Sequence, residues 1–161
     1  MSRGQVASLD VLAAGIVFLV VVASFQSALE GARSSSDFDK AFLAAQRASF
    51  LLLSQDGAPL NWSASNVQQL GIAGPPRVVQ ESLLLRLLNT SNESVARLLG
   101  ARDFNLHFEM RYLNGTMAVA GNGTNASLGP SAAGNASVRA VWRELVLYKN
   151  NRTSMLVEVW K

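Results

Sequence analysis

The chain has 161 residues, a formal net charge of +3 and no cysteine. Without cysteine it can form neither disulfides nor thiolate metal sites. Its arginines are spread singly along the chain, whereas a nucleic-acid-binding surface gathers them on one stretch or face, so we expect no nucleic-acid partner. After an apolar N-terminal stretch, about 130 residues remain, which is room for one small globular domain.

The N-terminal stretch is uncharged for 19 residues, from Val11 to Leu29, between Asp10 and Glu30. As a helix it would be about 28 Å long, close to the hydrocarbon thickness of a bilayer. A cleaved secretory signal usually has a shorter apolar core, followed by small residues at the cut site. Arg3 and the α-amino group precede the stretch, so we expect the start of the chain on the cytoplasmic side and the rest to be exported.

The residues before the apolar stretch form a short motif: Arg3-Gly4-Gln5, then Ser8-Leu9-Asp10. This motif resembles the class III, prepilin-type signal of archaeal type IV pilin-like proteins. In that family a prepilin peptidase cuts between Gly and Gln, and the mature chain keeps its apolar helix as the filament core. The resemblance implies cleavage between Gly4 and Gln5, with residues 1–4 as the leader. The acidic residue of the family is usually a Glu at mature position five, whereas Asp10 would be sixth.

Asp10 has two interpretations. A charge at the end of an apolar span is commonly kept at the level of the lipid headgroups. The resemblance implies instead that Asp10 takes part in assembly by pairing with the amino terminus of a neighbouring subunit. Gly15, which follows Ala13 and Ala14, would let the helices of such an assembly approach closely.

A second helical stretch is predicted up to about Ser54. Gly31 and the serines at 34–36 would loosen or end the first helix, and Ser36 with Asp39 fits a capping box that starts the next. Apolar residues then recur at helical spacing: Phe38, Ala41, Phe42, Ala45, Ala48 and Leu52. We predict an N-terminal helical spine over residues 5–55, of which 5–30 is the membrane or filament-core segment, and a head domain over 56–161.

The first part of the head is predicted to contain short helices. These are a single turn around Val67 to Leu70, an apolar helix over Leu83 to Leu88, and a helix from Ser91 to a C-terminal cap at Gly100. We expect them to pack against the spine or the sheet; the alternative is a groove for a partner.

From Asp103 the hydrophobic period changes from helical to strand. Apolar and polar residues alternate from Phe104 to Tyr112, and Asn114-Gly115 is a strong hairpin signal. Further strands are predicted near Thr116–Ala120 and over Val138–Tyr148 and Met155–Trp160, with a turn at Asn150-Asn151 and a long surface loop over Gly121–Gly134. The predicted fold is α+β: a long apolar helix, short helices, and an antiparallel sheet of three or four strands.

Eight of the 11 asparagines begin an N-glycosylation sequon. Because Ser and Thr make up 22 of 161 residues, chance would give only one or two sequons. The set indicates an exported head with N-linked glycans on its surface loops. We expect poor occupancy at Asn114 and Asn151, which lie in tight turns. The eight residues are Asn61, Asn89, Asn92, Asn114, Asn122, Asn125, Asn135 and Asn151.

The sequence contains no pattern typical of a catalytic, cofactor or metal site. Its one histidine, His107, falls on the polar face of a predicted strand and is interpreted as an ordinary surface residue. Gly121-Asn122-Gly123-Thr124 lacks the lysine and the strand–loop–helix setting of a phosphate-binding loop. We therefore expect a protein that is not an enzyme and that has no cofactor beyond covalent glycans.

Two functions remain. The first is a structural subunit of an extracellular pilus-like filament, used in adhesion or as a surface appendage. Its partners would be copies of itself, the prepilin peptidase and the pilus assembly machinery, with the membrane before assembly. The second is a membrane-anchored, glycosylated binding module or a minor pilin-like component of a surface or secretion complex.

Overall fold

The computed structural model describes the backbone of residues 3–74 and 76–161, and side chains from Leu12 onward. The chain divides into two units, residues 1–37 and residues 38–161. One helix, α1 (Arg3–Ser54), supplies the described part of the first unit and the first 17 residues of the second.

The predicted break in this helix was wrong. Gly31 and the serines at 34–36 lie inside α1, which is continuous from Arg3 to Ser54. A glycine in a helix interior costs only about 1 kcal/mol relative to alanine, and a serine caps a helix only where its own backbone is extended. Neither signal was strong enough to end a helix of this length.

Within the second unit, one face of the last part of α1, residues 38–54, is buried. Its buried residues recur at helical spacing and are mostly small, so the helix backbone can approach its neighbours closely. Two predicted members of this stripe, Phe38 and Phe42, are exposed at its edge, whereas Ala44 and Leu53 are buried. The buried helix residues are Ala41, Ala44, Ala45, Ala48, Ser49, Leu52 and Leu53.

The fold class is α+β, as predicted. The described residues form a six-stranded sheet with the order β1-β2-β5-β6-β3-β4. Its strands are β1 (Ala73–Gly74), β2 (Val78–Val79), β3 (Asn105–Tyr112), β4 (Ser127–Leu128), β5 (Arg139–Tyr148) and β6 (Asn151–Trp160). The three long strands, β3, β6 and β5, make an antiparallel centre, while β2 pairs in parallel with β5. The sheet therefore has more strands than the three or four predicted, because short strands form at its edges. The strand predicted near Thr116–Ala120 was wrong, since Met117 and Val119 form only isolated bridges.

Two of the three predicted short helices are present. They are α2 (Glu81–Leu88) and α3 (Asn92–Leu98). The hydroxyl of Ser91 caps α3 by accepting a hydrogen bond from the Ser94 backbone N–H. The predicted turn of helix around Val67 to Leu70 was wrong, since these described residues contain no helix and Gln69 instead forms a bridge with Ala58.

The loop predicted over Gly121–Gly134 is not entirely a surface loop. Ala126 is fully buried, and Ser127 and Leu128 form β4 along the free edge of β3. The unpaired backbone groups of an edge strand are satisfied by such a pairing. This loop then continues across one end of the sheet, where the backbone N–H of Ala132 donates to the Glu158 carboxylate.

Candidate functional site

The residues of the proposed processing site lie at the start of α1. Gly4, Gln5 and Asp10 belong to its helical backbone, but their side chains lie outside the described residues. The cleavage at Gly4–Gln5 and the pairing of Asp10 therefore stay predictions from the sequence.

The apolar run of α1 is uncovered within the first unit. The helix contains an 18-residue window long and apolar enough to cross a membrane, and none of that window is buried. Its side chains are largely accessible: Leu12 is 61% exposed, Phe18 67% and Leu29 42%. A core helix of a globular protein would have a buried face, whereas no described residue of this run is buried. The chain thus has an apolar N-terminal helix of the kind that acts as a membrane anchor or signal sequence.

Gly15 lies within this run, and a Cβ built on it would meet no atom within 4 Å outside its own helix backbone. The same is true of Gly31. Within the first unit, no described residue uses the close approach that these two glycines permit.

No family model, curated protein or solved structure matches the chain.

The eight sequon asparagines all lie among the described residues, and all of them belong to the second unit. Seven are exposed; the exception is Asn92, which is half-buried at the first position of α3. None lies on α1. Positions at turns, loops and element ends, on the surface of a folded unit, are where an N-linked glycan can be accommodated.

The local conformations of the sequons differ. The side-chain oxygen of Asn114 accepts hydrogen bonds from the Thr116 backbone N–H at 3.0 Å and from its hydroxyl at 2.7 Å. Asn122 accepts from the Thr124 backbone N–H at 3.0 Å. These are Asx turns, which leave the sequon at the surface. Asn151 begins β6, and the Thr153 of its sequon is fully buried.

The interpretation of His107 as an ordinary surface residue was wrong. The residue is only 7% exposed, because the loop after β4 covers this end of the sheet. Nδ1 donates to the carbonyl oxygen of Gly129 at 2.8 Å, and Nε2 lies 3.5 Å from the Glu109 carboxylate. A Cβ on Gly129 would overlap the Leu106 carbonyl oxygen, and Gly129 has a φ of +77°, so only glycine lets the loop come this close.

Ion pairs surround this histidine. The Arg111 guanidinium binds Glu109 through two hydrogen bonds of 2.9 and 3.0 Å. The resulting hydrogen bonds lower the pKa of Glu109 from its ordinary value, and the carboxylate in turn raises the pKa of Arg111. Beside them, Arg139 pairs with the buried Glu158. With Glu109 and Glu158 each paired with an arginine, His107 is arranged as a structural group that holds the loop against the sheet.

Sequence reasoning missed a cleft on the second unit. Its volume is about 580 Å³, and it lies between α3 and the start of β3. Nine residues line it: Asn92, Glu93, Ser94, Ala96, Arg97, Arg102, Phe104, Asn105 and Leu106. Its polar residues come from a helix, a turn and a strand that share no period, so no local pattern could have indicated it. Among the described residues, no group of three or more His, Cys, Asp or Glu side chains could hold a metal ion.

Proposed function

We propose that this chain is a structural subunit of an extracellular type IV pilus-like filament. It would be processed between Gly4 and Gln5 and would polymerise through its apolar N-terminal helix. The observation that supports the proposal best is the uncovered run from Leu12 to Leu29, of which no described residue is buried within the first unit. A prepilin-type motif stands directly before it.

The driving force for assembly would be packing rather than the hydrophobic effect. In lipid, apolar side chains are already out of water, so helices associate through close contact, and small residues favour this. Ala13, Ala14 and Gly15 supply small residues near the start of the run. Leaving the membrane for a bundle of identical helices would keep the run out of water throughout.

The head supports the extracellular half of the proposal. Its eight sequons are spread over loops, turns and element ends of the second unit, and seven of the asparagines are exposed. Glycans there would solubilise the head and leave α1 free of sugar. Such an appendage would present the head to other surfaces, and we assign it a role in adhesion.

The deciding experiment is mass spectrometry of the N-terminal peptide of the protein taken from its native cells, with a Gly4→Val variant alongside. We expect the wild-type chain to begin at Gln5 and the variant to keep its leader, remain in the membrane and form no filaments. Gly31→Val is the matched control: the same substitution, at a helical glycine with open space around it, should leave processing unchanged.

A wild-type chain that still carries Met1 or Ser2 would contradict the proposal. It would favour the second candidate, a permanently anchored binding module. That candidate is supported by the cleft on the second unit, which a purely structural subunit does not need.

A further inference from the structure

The cleft beside α3 has the size of a small-molecule site. Its volume of about 580 Å³ lies within the range of about 300–1,000 Å³ that ligand pockets commonly occupy. Its charged residues are Arg97, in the last turn of α3, Arg102, in the following turn, and Glu93, in the first turn of α3. Phe104 supplies an aromatic surface at the start of β3.

The two arginines of the cleft are available to a ligand. Arg97 and Arg102 are exposed, and their side chains make no hydrogen bond or ion pair with any described residue. Three other arginines of the second unit are instead paired with carboxylates: Arg77 with Glu144 at 2.8 Å, Arg111 with Glu109, and Arg139 with Glu158. A guanidinium presents its N–H donors in a planar fork that matches a carboxylate or sulfate group.

The remaining groups favour a sugar over a simple anion. Asn105 and Ser94 can donate to and accept from hydroxyl groups, and the Glu93 carboxylate can accept from them. Phe104 is half-buried and packs against the core, so its ring is held in place as an apolar surface for one face of a pyranose. One carboxylate beside two guanidiniums also disfavours a chain of phosphates such as nucleic acid, whose charge is uniformly negative.

We propose that this cleft binds an acidic sugar, a uronate or sulfated residue of a glycan. Arg97 and Arg102 would hold the acidic group, Phe104 would pack against the ring, and Glu93, Ser94 and Asn105 would bind its hydroxyls. The site lies wholly within the second unit, so this binding does not depend on filament assembly.

The acidic sugar has two possible sources. Asn92, Glu93 and Ser94 form a sequon, and all three line the cleft. The ligand can therefore be part of the glycan on Asn92 of the same chain, or part of a polysaccharide on another surface. The first source rests on the glycosylation that is part of the proposed function.

The first experiment measures binding of tetragalacturonate to the full-length chain, made without glycans and held in detergent micelles, by isothermal titration calorimetry. We expect measurable binding, and an affinity about tenfold lower for each of Arg97→Gln and Arg102→Gln, since each substitution removes a charged hydrogen-bond donor. Arg143→Gln is the control. This arginine is exposed on β5, and its side chain also has no hydrogen-bond or ion-pair partner among the described residues. It should bind as the wild type does.

Further outcomes test the ligand class. A neutral galactose tetramer and sodium sulfate should each bind at least tenfold more weakly than tetragalacturonate. The neutral tetramer lacks the acidic group, and sulfate lacks the sugar ring and its hydroxyls. Phe104→Leu keeps an apolar side chain and should lower the affinity for tetragalacturonate several-fold. Equal binding by sulfate alone, or an equal loss in the Arg143→Gln control, would overturn the assignment.

The second experiment separates the two sources by using protein glycosylated in its native cells. If tetragalacturonate binds to that protein only after Asn92→Gln, the chain's own glycan fills the cleft. If it binds before and after the substitution alike, the sugar comes from another surface. Absence of binding in the unglycosylated, native and Asn92→Gln proteins together would disprove the site, whatever the N-terminal processing shows.

Discussion

The phenol of Tyr148, the last residue of β5, donates a hydrogen bond to the backbone carbonyl oxygen of Val119 at 3.2 Å. The same hydroxyl lies 3.4 Å from the Glu81 carboxylate, at the start of α2. Lys149 reaches both partners, at 2.9 Å from Glu81 and 3.2 Å from the Val119 oxygen. A short polar network thus joins the β5–β6 turn, the first residue of α2 and the loop after β3.

Tyr148→Phe should lower the free energy of unfolding by about 1 kcal/mol, because it removes a hydroxyl whose acceptors stay in place. The ring is fully buried, and the substitution preserves its packing. Tyr112→Phe is the control, since the hydroxyl of that half-buried tyrosine makes no hydrogen bond to a described residue. Chemical denaturation followed by tryptophan fluorescence measures both; equal losses would show that the network does not stabilise the fold.

Gly57 is required for two reasons, its backbone conformation and its close contact with Trp62. It has a φ of +82°, and a Cβ there would overlap the Trp62 indole nitrogen and lie 2.9 Å from the Gln69 carbonyl oxygen. Trp62 is fully buried and donates to the Asp56 carbonyl oxygen at 3.0 Å, so its side chain cannot move away without losing this hydrogen bond. Gly57→Ala should therefore cost about 2–4 kcal/mol of stability.

Gly115→Ala is the matched control for that substitution. Gly115 has a similar φ of +86°, but a Cβ there would meet nothing within 4 Å. It should cost only about 1–2 kcal/mol, the strain of a left-handed alanine. The same denaturation midpoints compare the two variants. If both alanines cost the same, the contact with Trp62 contributes nothing.

The ion pair of Glu109 predicts a loss of stability in acid. Hydrogen bonding to Arg111 lowers the pKa of Glu109 in the folded state. A carboxylate with a lowered pKa stabilises the fold above its unfolded pKa of about 4.3, and the contribution is lost as the pH falls through the folded value. Glu109→Gln should thus cost about 1 kcal/mol at pH 7 and progressively less below about pH 4.

Asp103→Asn serves as the control for Glu109→Gln, because Asp103 is exposed and has no partner among the described residues. The free energy of unfolding of Asp103→Asn should equal that of the wild type at pH 7. Unfolding curves of wild type and both variants, recorded from pH 7 to pH 3, make the comparison. A difference for Glu109→Gln that persists unchanged at pH 3 would contradict the role of the ion pair.

The long elements could be predicted from the sequence because their patterns repeat. Patterns of six or more residues placed α1, α2 and the strands β3, β5 and β6. Two-residue strands such as β4 have no period to detect. They form because the edge of β3 offers unpaired backbone groups, which depend on the tertiary fold.

His107 shows the same limit at the level of a site. Alternation along β3 correctly put it on the opposite face from Phe108, but the pattern cannot tell whether a distant loop covers that face. The loop that buries His107 is held through Gly129, 22 residues further on. The turn after β5 shifted in a similar way: Lys149 and Asn150 take positive φ of 49° and 61°. These angles are typical of a two-residue hairpin turn, so Asn151 already belongs to β6.

Substitution of Asp10 distinguishes between the two interpretations of the charge that precedes the apolar run. If it pairs with the amino terminus of a neighbouring subunit, Asp10→Ala should leave the leader cleaved and the chain in the membrane but abolish filaments. Asp10→Asn should do the same, because it keeps the size and removes the charge, and a buried unpaired amine costs several kcal/mol. Glu30→Ala is the control: this exposed carboxylate ends the same run on its other side, and its variant should assemble normally. Electron microscopy of filaments sheared from cells gives the assembly result, and mass spectrometry of the N-terminal peptide gives the processing result. Normal filaments from Asp10→Ala would mean that the carboxylate serves only to hold the helix end at the level of the headgroups.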